Sequence, residues 1–163
     1  MSWTQSSKPL ASLLLLPDIR SIYAYDIGDP FGITYGLYEW PQDLVSRLEN
    51  STSSVRHLEL RFCKLSFEHT GPFVKTCKSL NTFVYEVKDL RALMRLNLRR
   101  ITNLLSQHAA HLTHLCLSYR HRNVQDGECS VLRLTFDSFT SLKQLRIAAC
   151  FVDYSCTKYP TLL

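Results

Sequence analysis

Glycine and proline are scarce in this sequence, five and six residues among 163. With so few, and with no low-complexity tract, the chain is not a linker or a broadly disordered polymer. Long apolar runs are missing too. The most apolar stretch, Leu10–Leu16, is seven residues long, whereas a bilayer-spanning helix needs about 20. It also makes a poor signal peptide. Only Lys8 precedes it, and Pro17-Asp18 follows where a small-x-small cleavage site would stand. It reads as a packed helix, and no membrane partner is expected. Charge of one sign is weak: the net +5 is spread along the chain and implies no nucleic-acid partner. There is no C-x-x-C pair, no H-E-x-x-H and no G-x-G-x-x-G, which removes the commonest metal, protease and dinucleotide signatures.

What is present is 45% apolar and 20% charged residues, an ordinary composition for one domain with a real core. The most informative stretch is Val55–Leu65. Its apolar positions Val55, Leu58, Leu60, Cys63 and Leu65 follow the leucine-rich-repeat consensus L-x-x-L-x-L-x-x-C-x-L, with Val for the first Leu. Leu58 and Leu60 lie two apart and share one side of a strand, while His57 and Glu59 take the other. Four further matches to L-x-x-L-x-L occur at Ile19/Ile22/Ala24, Leu80/Phe83/Tyr85, Leu112/Leu115/Leu117 and Leu142/Leu145/Ile147. First positions are separated by 36, 25, 32 and 30 residues, about one repeat length each. Only the fifth completes the long form, with Cys150 and Val152; Ile27, Lys88 and Arg120 occupy the Cys position in the first, third and fourth.

Helical segments separate these strands. Pro41–Leu48 has Pro at a first helical position, Asp43 in the first turn and Leu44, Val45 and Leu48 on one face. Ser66–Lys78 carries Phe73, Val74 and Cys77, and Gly71-Pro72 is expected to break it into two short turns or delay its start to Pro72. Lys88–Gln107 is expected as the longest helix, with Leu90, Met94, Ile101 and Leu104 along its face. Leu132, Leu134 and Phe136 alternate like a strand. The expected fold is therefore α/β: a leucine-rich-repeat solenoid of about five irregular repeats, with a parallel β-sheet on the concave face and helices and loops on the convex face. Residues 1–163 form a single domain, with a tail over 1–9 and strands near 20–25, 56–61, 81–86, 113–118 and 143–148.

With the repeats in view, the chain resembles the leucine-rich-repeat region of fungal F-box-type proteins. The resemblance rests on the stretches Leu14–Ile22, Ser53–Leu60, Cys77–Tyr85 and Phe139–Ile147. It implies an F-box that docks the adaptor of a ubiquitin ligase and repeats that hold a substrate. No F-box is visible in these residues, and the chain is expected to be a fragment of a longer solenoid. The resulting expectation is a non-catalytic protein–protein interaction scaffold, possible substrate receptor of an SCF-type ligase, in the cytoplasm and/or nucleus. Its partner is a protein, with a ubiquitin-ligase adaptor joined through the missing F-box. The alternatives are a truncated fragment with no independent activity and, more remotely, a His/Cys-dependent enzyme.

Partner contact is expected on the concave face, at positions three, five and seven of each pattern. The candidates are Tyr23, Tyr25, His57, Glu59, Arg61, Glu86, His114 and Arg146, since Tyr and Arg are the usual interface anchors. No catalytic residue, cofactor or metal is assigned. His108, His111, His114, Cys116 and His121 crowd one stretch, but their spacing crosses a helix end, a loop and a strand, so their side chains diverge. His108 reads as a favourable charge or cap at a helix C-terminus. Cys116 and His114 lie parallel on one strand with no third group to orient them. Gly28, Gly32 and Gly36 lack phosphate-loop spacing. Arg91, Arg95, Arg99 and Arg100 read as a solvated helix face, and Phe31, Tyr35, Tyr38 and Trp40 either as a binding loop or as packing of the long first connection over the core. Cys63 and Cys77 are read as buried thiols of a reducing compartment.

Overall fold

The computed structural model describes residues 7–27, 42–65, 67–88, 98–119 and 136–148. They form an α/β structure built on a five-stranded parallel sheet in the order β1-β2-β3-β4-β5. The strands are β1 Ser21–Tyr25, β2 His57–Cys63, β3 Thr82–Val87, β4 His114–Tyr119 and β5 Gln144–Ile147. Helix α1 Ser7–Leu14 precedes β1; between the strands lie α2 Gln42–Glu49, α3 Phe67–Thr76 and α4 Leu98–Leu105, the last closed by a 3₁₀ turn over Ser106–His108.

Register follows from the apolar alternation. Ile22, Leu58, Phe83, Leu115 and Leu145 lie side by side across the five strands, as do Ala24, Leu60, Tyr85, Leu117 and Ile147. A one-residue slip would turn these rows outward, so their burial fixes the pairing. Leu58, Leu60, Phe83, Tyr85 and Leu117 are completely buried, packed with Leu14 and Leu48 of the helices. Leu145, on the edge strand, remains 45% exposed. Tyr85 brings a hydroxyl into the core and donates it to the Leu65 carbonyl at 2.5 Å, which offsets the cost of burying that group. Strand entries repeat one hydrogen-bond arrangement. The carbonyls of Arg20, Arg56, Asn81 and Thr113 each accept two consecutive N–H groups from the next strand's start.

The consensus interval between Leu60 and Cys63 contains two residues, which would put Cys63 out of phase with a period-two strand. A bulge corrects this. The β2–β3 register shifts between Leu60 and Cys63, so Cys63 pairs with Val87 and is fully buried. Phe62 absorbs the extra residue with φ 56°, and Asp26, at the equivalent place after β1, has φ 54°. Such left-handed backbone costs a non-glycine residue about 1–2 kcal/mol. Asp tolerates it through its short polar side chain; Phe has no such relief.

Several expectations are corrected here. Helix α1 begins at Ser7, inside the span expected as a tail. Helix α3 runs through Pro72 instead of breaking there. An interior proline costs about 3 kcal/mol, but Phe73 and Val74 are buried at about 1.5–3 kcal/mol each, and that burial is lost if the helix stops. Thr76 also ties the helix down, donating to the carbonyls of Pro72 and Leu48. Of the expected Lys88–Gln107 helix, Lys88 itself lies in irregular backbone and residues 89–97 lie outside the described residues; α4 is described from Leu98, with Ile101 and Leu105 buried one turn apart. In the third strand Val87, not Lys88, takes the slot aligned with Cys63, and in the fourth Tyr119, not Arg120, pairs with Val87. These strands need no bulge because only one residue separates Tyr85 from Val87 and Leu117 from Tyr119. Phe136 lies outside any strand, its ring 5.7 Å from that of Phe139. The expectations for Gly28–Trp40, Arg91, Arg95, His121, Leu132, Leu134, Cys150 and Val152 lie outside the described residues, as does the Arg99 side chain.

Candidate partner-binding face

The sheet face opposite the helices is set by the residues that alternate with the core rows. Across the strands they align as Ser21–His57–Thr82–His114–Gln144 and as Tyr23–Glu59–Val84–Cys116–Arg146. A third row joins Tyr25 to Arg61 and, beyond the bulge, Glu86 to Ser118. Neighbours in a row are about 4.8 Å apart, so side chains of unlike strands meet.

Six of the eight candidate residues lie together as one group on β1–β3. Glu59 is at its centre. His57 Nε2 lies 2.8 Å from one carboxylate oxygen, and Arg61 Nε donates to the other at 2.7 Å. Burial alone would raise the Glu59 carboxyl, but the hydrogen bonds from Arg61 and His57, with their charges, outweigh it and hold the group below its ordinary range. Arg61 Nη1 also stands 3.9 Å from Glu86 Oε2. The Tyr23 ring lies 4.9 Å from the His57 imidazole. Tyr25 packs on Phe62, ring centres 4.7 Å apart.

Exposure divides this group. Tyr23 and Tyr25 are 69% and 62% exposed, an unusual level for large aromatic side chains. Val84 and Glu86, on the central strand, are buried instead. Glu86, one of the expected contact residues, is therefore only 9% accessible. His114 and Arg146 stand apart from the group on β4 and β5, both exposed. His114 Nδ1 is engaged locally by the Thr113 hydroxyl at 2.8 Å.

Two participants escape the sequence pattern. Phe62 reaches the face because the bulge places two residues against one, and the two-residue gap between Leu60 and Cys63 is the signal for it. Asp26 pairs with the Lys88 ammonium across the end of β2, at the second left-handed position.

The remaining titratable groups are structural. Burial pushes the Cys63 and Cys77 thiols up to about 12, so both stay protonated and poorly nucleophilic. His108 is a buried imidazole in the 3₁₀ turn rather than an exposed charge at a helix end. Its Nδ1 accepts the Leu80 N–H at 3.3 Å, and its Nε2 lies 3.0 Å from the Val74 carbonyl. These partners require the neutral Nε2–H tautomer, and burial first, then the nearby His111, lowers its pKa against the opposing Val74 hydrogen bond. His111 and His114 are exposed and point elsewhere. Among the described residues no group of three or more His, Cys, Asp or Glu is placed to hold a metal ion, and no helix is long and apolar enough to cross a membrane. No protein-family model, no curated protein and no solved structure matches the chain.

Proposed function

We propose that this protein is a non-catalytic recognition scaffold that binds a partner protein on the open face of its sheet. In this reading the strand–helix units are the repeats of an irregular leucine-rich-repeat solenoid, and the open face is its concave wall. The sequential strand order, the aligned apolar rows and the repeated hydrogen bonds at the strand entries support it. The observation that carries the function is the pair Tyr23 and Tyr25, held exposed beside the His57–Glu59–Arg61 group. Exposed Tyr next to Arg that is already oriented is the composition of an interface anchor, because little side-chain entropy remains to be lost on binding. Buried thiols at Cys63 and Cys77 suit a cytoplasmic or nuclear setting.

The resemblance to fungal F-box-type proteins gives this scaffold a specific role, reception of a substrate for ubiquitin ligation. An in-frame F-box in the genomic sequence upstream of Met1 is the observation that would carry that role. The recognition reading itself is tested by affinity capture with the wild type and with Arg61→Glu and Arg146→Glu variants, followed by binding measurements on each purified partner. Loss of partners from the variants is expected. Retention of every partner by both variants overturns the reading.

A further inference from the structure

Two arginines stand side by side where the sheet begins. Arg20 and Arg56 occupy the same place before β1 and β2, one step ahead of the Ser21–His57 pair. The Arg20 carbonyl accepts the N–H groups of Arg56 and His57 at 2.8 and 3.1 Å. The Ser54 hydroxyl donates to the Pro17 carbonyl at 2.5 Å and fastens the same two segments a second time. Neighbouring strands run about 4.8 Å apart, so the two side chains leave the backbone close together. Both are exposed, and among the described residues neither guanidinium has a hydrogen bond or an ion pair. Arginine keeps its charge without help from a neighbour, and like charges set opposite one another are unfavourable. Lys78 adds a third cation. Its segment is tied to the same rim: Ser53 N–H donates to the Thr76 carbonyl at 2.8 Å and Lys78 N–H to the Ser53 carbonyl at 3.2 Å. The Lys78 side chain is exposed and, among the described residues, unpaired. Nearby acids do not answer these charges. Asp18 and Glu49 make no ion pair among the described residues, and Glu59 is held by Arg61 and His57. At the opposite end of the strands, by contrast, Lys88 is met by Asp26.

We infer that this rim binds an acidic segment of the partner protein, its aspartate and glutamate carboxylates forked by Arg20 and Arg56 and met by Lys78. The inference rests on the recognition reading and adds a second contact to it. Arg56 directly precedes His57 in the chain, so the rim borders the open face and one partner reaches both. Nucleic acid is the poorer fit, since an affinity built on about 6–10 phosphate contacts needs a longer basic track than three cations.

The test uses the full chain at about 0.05 M and about 0.15 M salt. Its fluorescein-labelled probes are an alternating Gly-Glu peptide, an alternating Gly-Arg peptide and a deoxythymidine oligomer of equal length. Anisotropy should show binding of the Gly-Glu probe, weaker at the higher salt, and none of the Gly-Arg probe. Arg20→Gln and Arg56→Gln, both at exposed positions that leave the core untouched, should each weaken it about two- to five-fold. Arg100→Gln on α4 removes the same charge elsewhere and should leave it unchanged. No binding of the Gly-Glu probe, unchanged affinity in Arg20→Gln and Arg56→Gln, an equal loss in Arg100→Gln, or tighter binding of the oligonucleotide would each overturn the inference. If Arg61→Glu still loses captured partners while the Gly-Glu probe fails to bind, the recognition reading stands and only the acidic segment falls.

Discussion

Removing the His108 imidazole should cost stability in two separable ways. The ring is 1% exposed and joins three segments, taking the N–H of Leu80 at the entry to β3 and meeting the Val74 carbonyl of α3 from its place after α4. In His108→Ala the Leu80 N–H is left buried without its acceptor, at about 1–3 kcal/mol. The Val74 carbonyl keeps the Gln107 amide, 3.2 Å away, and so adds little. The void left by the ring brings the total to about 2–4 kcal/mol. Urea denaturation followed by circular dichroism would measure it. The second effect depends on pH. Burial holds the folded-state pKa of His108 below its ordinary 6.5, so below pH 6.5 the unfolded chain binds a proton that the folded chain refuses. The contribution is fully present above 6.5 and is lost as pH falls from there toward the lowered value. His108→Gln, which cannot titrate, should lose less stability than the wild type between about pH 7.5 and about pH 5.5. The exposed histidines contribute to both proteins and cancel in the comparison. Equal losses in the two, or a cost below about 0.5 kcal/mol in His108→Ala, the range of a surface substitution, would refute the neutral cross-linking role.

Three further outcomes follow from the sheet. Leu58→Ala or Leu115→Ala should cost about 2–5 kcal/mol in denaturant unfolding, whereas His57→Ala should cost about 1 kcal/mol or less as a partly exposed ion pair; equal costs at Leu58 and His57 would mean the two faces are assigned the wrong way round. Phe62→Asn should be more stable than Phe62→Val although Val is the more apolar, since a β-branched residue resists the left-handed backbone and Asn accepts it; the reverse order in thermal melts would remove the strain argument. Glu59 is held below the ordinary carboxylate value of 4.5, so its contribution is present above that pH and lost as acid takes the solution below it; a Glu59→Gln variant with an unchanged acid-unfolding midpoint would contradict this.

The sheet was legible because its code is local. Leu58 and Leu60, Leu115 and Leu117, Leu145 and Ile147 each announce a strand by spacing alone, and parallel order follows from the long connections between them. The third and fourth strands were harder. Their patterns carry Lys88 and Arg120 at the consensus Cys position, and the template could not reveal that Val87 and Tyr119 close those strands one residue earlier. Pro72 misled for a related reason: propensity is a weak prior, and the burial of Phe73 and Val74 lies in tertiary structure. On the face, alternation identified Tyr23, His57, Glu59 and Arg61 as neighbours, but not the hydrogen bonds that make Glu59 their hub. The burial of Glu86 was invisible because alternation predicts the side of a sheet, not its depth.

The bulge at Phe62 also bears on how such a chain can change over time. Within a strand, gaining or losing one residue normally inverts every side chain downstream and destroys the core. At the boundary between Leu60 and Cys63 it need not. The chain already holds both solutions side by side, two residues before the inward slot in β2 and one in β3, with Cys63 and Val87 meeting in the same register. This joint is therefore a hinge for length variation. A single codon could enter or leave there, altering what the face presents while the wall behind it stays in phase.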